Sequence, residues 1–199
     1  ITRSTLGGTT ALSTEGVDGL QIRYSTLSGT LTGMAVSGSS IDVRENDIYG
    51  PSYGVRIIGG SSGEFRDNTI GGTVALDVQA AFAGTLSGNT LQAADPKGYM
   101  VQARALNLAA AYTGEIVGNR IAVFTLNGIA IDVQAEFTGS LSNNVISGIA
   151  AGLNLAHTGS GEITGNDIST SASGTGLNLA AAFVGGITGN AVHGGSTGV

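Results

Sequence analysis

Apolar residues recur along the chain in short alternating runs, each placed at a fixed distance from a repeated asparagine. The octets GEFRDNTI (63–70), GTLSGNTL (84–91), GEIVGNRI (114–121), GSLSNNVI (139–146), GEITGNDI (161–168) and GGITGNAV (185–192) share the pattern. Aligned on that position the chain carries Asn46, Asn68, Asn89, Asn119, Asn144, Asn166 and Asn190, with Ser4 and Ser25 in the two preceding repeats. The intervals are 21, 21, 22, 21, 30, 25, 22 and 24 residues, so about nine repeats cover the chain and leave no second domain.

Three residues before the asparagine stands an apolar residue (Val43, Phe65, Leu86, Ile116, Leu141, Ile163, Ile187), and two after it another (Ile48, Ile70, Leu91, Ile121, Ile146, Ile168, Val192). The positions between are polar or small, as in Glu64 and Arg66, which predicts a strand with one buried face. A second strand is centred upstream on VRI (55–57), LDV (76–78), LNL (106–108), IDV (131–133), LNL (153–155) and LNL (177–179). Its distance to the asparagine is constant while the intervals vary, which confines insertions to the loop after the asparagine. A third, shorter strand completes the expected coil. Five residues past the triplet centre come Phe82, Tyr112, Phe137 and Phe183, predicting an aromatic column along the axis, broken at Gly159. A helical reading of VQAAFAG or NLAAAY fails on length and on the glycine that follows. Coils stacked as parallel strands about 4.8 Å apart make a rod of roughly 40 Å. Each corner asparagine then has a counterpart one coil above and one below, which predicts a ladder of side-chain amide hydrogen bonds.

Composition narrows the function classes. Of 199 residues 34 are glycine but only 2 proline, which excludes collagen and proline-rich linkers. Hydrophobic residues reach 41% and charged residues only 11%, the reverse of a disordered chain. A net charge of −6 argues against nucleic acid as a partner. No apolar run approaches the length of a membrane span. The absence of cysteine removes disulfides and thiolate metal sites. The chain does not begin with methionine and both ends fall within a repeat, so 1–199 is expected to be one domain cut from a longer chain. No capping helix is evident, so the expected neighbours of its ends are further coils of the same chain or another copy stacked end to end.

The pattern, close to G-apolar-x-apolar … apolar-x-x-N-x-apolar-x-G, resembles the right-handed parallel β-helix repeat family over essentially all of 1–199. The resemblance implies an all-β solenoid of about nine coils with 21–25 residues in most, and supplies its handedness. Such helices occur in pectin-active enzymes, phage tailspikes, autotransporter passengers and large surface proteins, so it implies an extracellular or cell-surface location without fixing a function. The NTD, DD, GHG and RIK segments of polygalacturonase-like enzymes are missing: 68–70 reads NTI, no DD pair exists, and His157 and His193 sit in AHT and VHG.

Three clusters remain as candidates. Asp42 and Glu64 share one outward column and Arg23, Arg44 and Arg66 another, with Glu45, Asp47 and Asp67 at the neighbouring corner. They form either a calcium- or glycan-binding patch or a cross-strand ion-pair ladder; alternation of acid with arginine suits the ladder. A second outward column holds Arg56, Asp77, Asn107, Asp132, Asn154 and Asn178, either sugar-binding or a solvated face. The longest insertion, ADPKGYMVQAR (94–104), offers Lys97, Tyr99 and Arg104 for recognition. His157, beside the gap at Gly159, reads as local repacking. No catalytic residue, metal or cofactor is assigned. The leading expectation is a structural, non-catalytic stalk, fibre subunit or adhesin passenger. The alternatives are carbohydrate binding or cleavage on the outer strand face, with surface glycans as partners, and filament assembly through uncapped ends.

Overall fold

The computed structural model describes residues 1–95 and 102–195. Each turn of chain contributes three short strands, and successive turns stack in parallel. The first stack precedes the asparagines: Leu20–Arg23, Ser40–Arg44, Ser62–Arg66, Thr85–Ser87, Glu115–Val117, Ser140–Ser142, Glu162–Thr164 and Ile187–Thr188, paired in chain order as an eight-stranded sheet. The second follows the asparagines, from Asp47–Tyr49 through Thr69–Gly72, Thr90–Ala93, Arg120–Val123, Val145–Ser147 and Asp167–Ser169 to Ala191–His193. The third carries the triplets: Tyr53–Ile57, Val74–Val78, Arg104–Leu108, Ile129–Val133, Ala151–Leu155 and Thr175–Leu179. The second and third stacks join into one sheet through the long strands Thr5–Glu15 and Thr26–Ser37, which run through the intervening corner unbroken. From the third coil on, that corner is interrupted, first at Gly50–Pro51, where proline cannot donate to a ladder. The described residues contain no helix, and so none long and apolar enough to cross a membrane.

The alternating run that the sequence presents as one strand is two, turned against each other at the asparagine. The residue just before each ladder position takes a left-handed conformation: Arg3, Tyr24, Glu45, Asp67, Gly88, Gly118, Asn143, Gly165 and Gly189 all have φ between 48° and 66°. The five later corners carry glycine or asparagine, which suit this conformation; the tyrosine and glutamate of the earlier ones do not, and each non-glycine residue there costs roughly 1–2 kcal/mol.

The core is a continuous apolar column fed by all three stacks. Ile22, Val43, Phe65, Leu86, Ile116, Leu141 and Ile163 are buried from the first, Leu27, Ile48, Ile70, Leu91, Ile121, Ile146 and Ile168 from the second, and the outer residues of the triplets from the third, except Leu179 in the last triplet, which is exposed. Full burial of each such side chain contributes about 1.5–3 kcal/mol, repeated in every coil. The aromatic column lies at the corner after the third stack, where backbone bridges link Ser61, Phe82, Tyr112, Phe137, Gly159 and Phe183 in sequence. Tyr112 and Phe137 stack with ring centroids 6.2 Å apart and planes 9° off parallel. The Tyr112 hydroxyl donates to the carbonyls of Gly84 (2.8 Å) and Glu115 (3.1 Å). Burial, with the charge of Glu115 adding, raises that phenol well above its ordinary pKa. At the break in the column a Cβ on Gly159 would meet the ring of Phe183 within 3.0 Å, so Phe183 leans into the missing place. His157 does not fill it; its ring is exposed and touches Thr158.

Candidate functional site

The asparagine ladder is continuous. Nδ2 of each asparagine donates to Oδ1 of the next, from Asn46 to Asn68, Asn89, Asn119, Asn144, Asn166 and Asn190, at 2.8–3.0 Å. The same Oδ1 accepts the backbone N–H of the ladder residue one coil earlier, as Asn119 does from Asn89 at 2.8 Å. Nδ2 also reaches a strand carbonyl of the preceding coil, for example Leu86 from Asn119 at 2.8 Å. Each buried amide is therefore satisfied on both sides by groups of the protein itself. Serine continues the ladder toward the first coil: Ser25 N–H donates to Asn46 Oδ1 and Ser4 N–H to Ser25 Oγ.

On the outer face of the first stack, Arg23, Arg44 and Arg66 stand in register, one per coil, as do Asp42 and Glu64. Like charges directly opposite repel, so the guanidinium groups reach across to the neighbouring column. Arg23 donates to Asp42 Oδ2 at 2.8 Å, Arg44 donates to Asp42 Oδ1, and Arg44 also donates to Glu64 Oε2 at 2.8 Å. Ser87 Oγ donates to the other Glu64 oxygen at 3.3 Å. Arg66 turns away to Asp67 at its own corner, 3.1 Å. Burial pushes the Asp42 carboxyl up, but hydrogen bonds from Arg23 and Arg44, helped by their charges, outweigh it and hold the group below the ordinary carboxylate range. The bond to Asp42 holds Arg44 above its ordinary value against partial burial, with the charges of Asp42, Glu64 and Asp67 assisting.

A depressed folded-state pKa gives the sign of the pH dependence. Asp42 stabilises the fold above its unfolded pKa, and that contribution is lost as the pH falls through the folded value. Asp42→Asn is expected to cost about 0.5–1 kcal/mol at neutral pH, the range for partly exposed pairs. The difference from the parent should close by about pH 2, when carboxylates are protonated in both chains. Guanidinium unfolding midpoints of the two chains at both pH values check it; a constant difference across that range would refute it.

The third stack carries a ladder along the column for which the sequence allows either sugar binding or a solvated face. Asp77 and Asp132 are only 1% and 2% exposed. Arg56 pairs with Asp77 at 3.5 Å while lying over the Tyr53 ring, 4.2 Å to its centroid, and reaching Gln79. Arg104 donates to Asp132 at 2.6 Å and to Gln102 at 2.8 Å. Asn107 donates to Asp77, Asn154 to Asp132 and Asn178 to Asn154. The burial arises because Arg56 and Arg104 lie over the shorter carboxylates, with Gln79 and Gln134 beside them. Arginines at neighbouring positions of the triplet strands were the sequence signal for this cover. Of the insertion residues, Arg104 is thus engaged within the rod; Lys97 and Tyr99 lie outside the described residues.

Two further features emerge only in three dimensions. Tyr24 is 51% exposed although its backbone is left-handed, beside Arg23 and Glu45. A groove of about 390 Å³ runs along the third corner, lined by Asp18, Ser39, Ser40, Ser61, Ser62 and Thr113 among others. Its serine floor forms a short ladder of its own, with Ser39 Oγ accepting Val17 N–H and Ser61 Oγ accepting Ser39 N–H. Among the described residues no group of three or more histidines and carboxylates is placed to hold a metal ion.

The family model described as right handed beta helix region matches residues 7–168. No curated protein and no solved structure matches the chain. The match spans most of the stacked coils and six of the seven ladder asparagines, and the chain belongs to the right-handed beta helix family.

Proposed function

We propose that the protein is a structural, non-catalytic β-helix serving outside the cell or on its surface, as a stalk, fibre subunit or adhesin passenger. The observation that carries this reading is the uninterrupted ladder from Ser4 to Asn190, which ties each coil to the next at the same corner. Stability in such a stack sums over neighbouring coils, which suits a rod of adjustable length. The arginines of the first and third stacks bind carboxylates of the rod itself, so their charge is already used. One coil's exposed edge matches the next, and the same match allows end-to-end association or extension by further coils.

Electron microscopy with mass determination across a concentration series tests the reading, together with a polysaccharide panel assayed for new reducing ends. Rigid rods, lengthening with concentration or of constant length, with no reducing ends released, support it. Release of reducing ends overturns it.

A second reading is carbohydrate binding on the outer strand face, and it rests on Tyr24. A half-exposed ring held in a strained backbone beside Arg23 and Glu45 is the arrangement that ligand contacts favour. A glycan array read with the parent and with Tyr24→Ala separates the two: a signal lost in the variant favours binding there, and none in the parent excludes it.

A further inference from the structure

The asparagines of this chain fall into two chemical classes. Each ladder asparagine has its side-chain oxygen and nitrogen bonded, and the backbone nitrogen that follows it is bonded as well. The N–H groups of Asp47, Thr69, Thr90, Arg120, Val145, Asp167 and Ala191 all donate to a ladder-residue carbonyl one coil earlier. An amide locked in this way can neither rotate toward that nitrogen nor be approached by it. Asn107, Asn154 and Asn178 donate to side chains of the neighbouring coil.

Asn127 is different. It is exposed, at the turn joining Arg120–Val123 to Ile129–Val133, and its side chain has no hydrogen-bond partner among the described residues. The next residue, Gly128, has no side chain to obstruct approach to its nitrogen, and Asn127–Gly128 is the one Asn-Gly pair in the chain. The Gly128 N–H donates to Thr125 O at 2.8 Å, a bond within the same turn, so opening this turn frees it without parting any strand. Asn143 is also exposed, but the nitrogen after it belongs to Asn144 and is bound to Asn166 Oδ1 at 3.0 Å.

We propose that Asn127 is a site of spontaneous covalent modification, in which the Gly128 backbone nitrogen displaces the Asn127 side-chain amide. The Gly128 nitrogen gives its proton to solvent base and attacks Cγ of Asn127. A C–N bond forms, the Cγ–Nδ2 bond breaks, and Nδ2 leaves as ammonia after taking a proton from water. The resulting succinimide is opened by water at either carbonyl, giving aspartate or isoaspartate, with no change of oxidation state. Both products place a carboxylate at a corner that otherwise presents Phe124 (63% exposed) and Leu126 (77% exposed). Isoaspartate also inserts a methylene into the main chain just before Gly128, whose carbonyl accepts the N–H groups of Ile149 (3.2 Å) and Ala150 (2.9 Å) of the next coil. The modification converts one apolar corner into a charged, loosened one and leaves the ladder intact.

The test is prolonged incubation of the native protein at mildly alkaline pH, followed by peptide mapping that separates asparagine, aspartate and isoaspartate forms. A parallel sample is held unfolded in denaturant. The expected result is conversion confined to Asn127 in the native sample, and complete loss of that conversion in Asn127→Gln. The proposal is overturned if native Asn127 stays unconverted while the unfolded chain converts there, or if ladder asparagines convert in the native protein as fast as Asn127 does.

Discussion

Replacing Gly114 with alanine is expected to lower the stability of the rod by about 3 kcal/mol or more, seen as a fall in the guanidinium unfolding midpoint. A Cβ on Gly114 would lie 1.9 Å from the carbonyl oxygen of Gly84 and 2.8 Å from its carbon. Both partners are backbone, so no side chain can swing aside. The carbonyl in the way is itself bonded by the Tyr112 hydroxyl, and Gly114 O accepts the N–H of Ser140. Relief requires two coils to part, which breaks ladder bonds on either side. The same collision recurs at Gly84, Gly139, Gly161 and Gly185, each against the carbonyl of its counterpart one coil earlier. This is why each of the repeated octets opens with glycine. Gly118→Ala is the matched control. Gly118 has φ 66° and nothing within 4 Å of its missing Cβ, so alanine there meets strain alone, about 1 kcal/mol. Equal losses at the two positions would sink the close-approach account.

Asn119→Leu, nearly isosteric, is expected to cost about 3 kcal/mol, because it strands buried partners rather than merely deleting a bond. Oδ1 of Asn119 accepts both the N–H and the Nδ2 of Asn89, and its Nδ2 donates to Asn144 Oδ1, Leu86 O and Val117 O. Leucine leaves the Asn89 N–H buried with no acceptor and its Nδ2 with only the Phe65 carbonyl. At Asn190 leucine also takes the acceptor from the Asn166 donors, but that corner is only partly buried, so the same change should cost about 1 kcal/mol. Amide hydrogen exchange locates the effect: in Asn119→Leu the Asn89 N–H should lose protection while the N–H of Asn46, several coils away, keeps it. Unchanged protection at Asn89 would mean that its amide is held by something other than Asn119.

Much of this architecture was legible in the residues. The apolar positions on either side of each asparagine, the constant distance to the triplets and the aromatic column all appear in the structure at the predicted places. So do the ladder partners of Asn46 through Asn190. These features repeat, and a repeat reveals itself by being compared with itself. Less visible were features that depend on which neighbour wins. Arg44 takes both Asp42 and Glu64, whereas Arg66, in the same column, takes Asp67. Asp77 and Asp132 alternate outward like any solvated residue, yet lie buried because longer side chains at neighbouring positions lie over them. The gap at Gly159 is closed by Phe183 from the following coil, not by the nearby His157.

By itself, then, the sequence determined the coil: its period, its inward positions, its corner asparagine and its tolerance of insertions after that asparagine. Alternation and fixed spacing decide which way a side chain faces, and facing is a property of the local chain. Tertiary structure decided the rest: the turn before each asparagine that splits one apparent strand into two, the glycine column that lets coils approach, and the pairing of charges on the outside. Those depend on distances of a few ångströms between residues some twenty positions apart, and only the stacked backbone sets them.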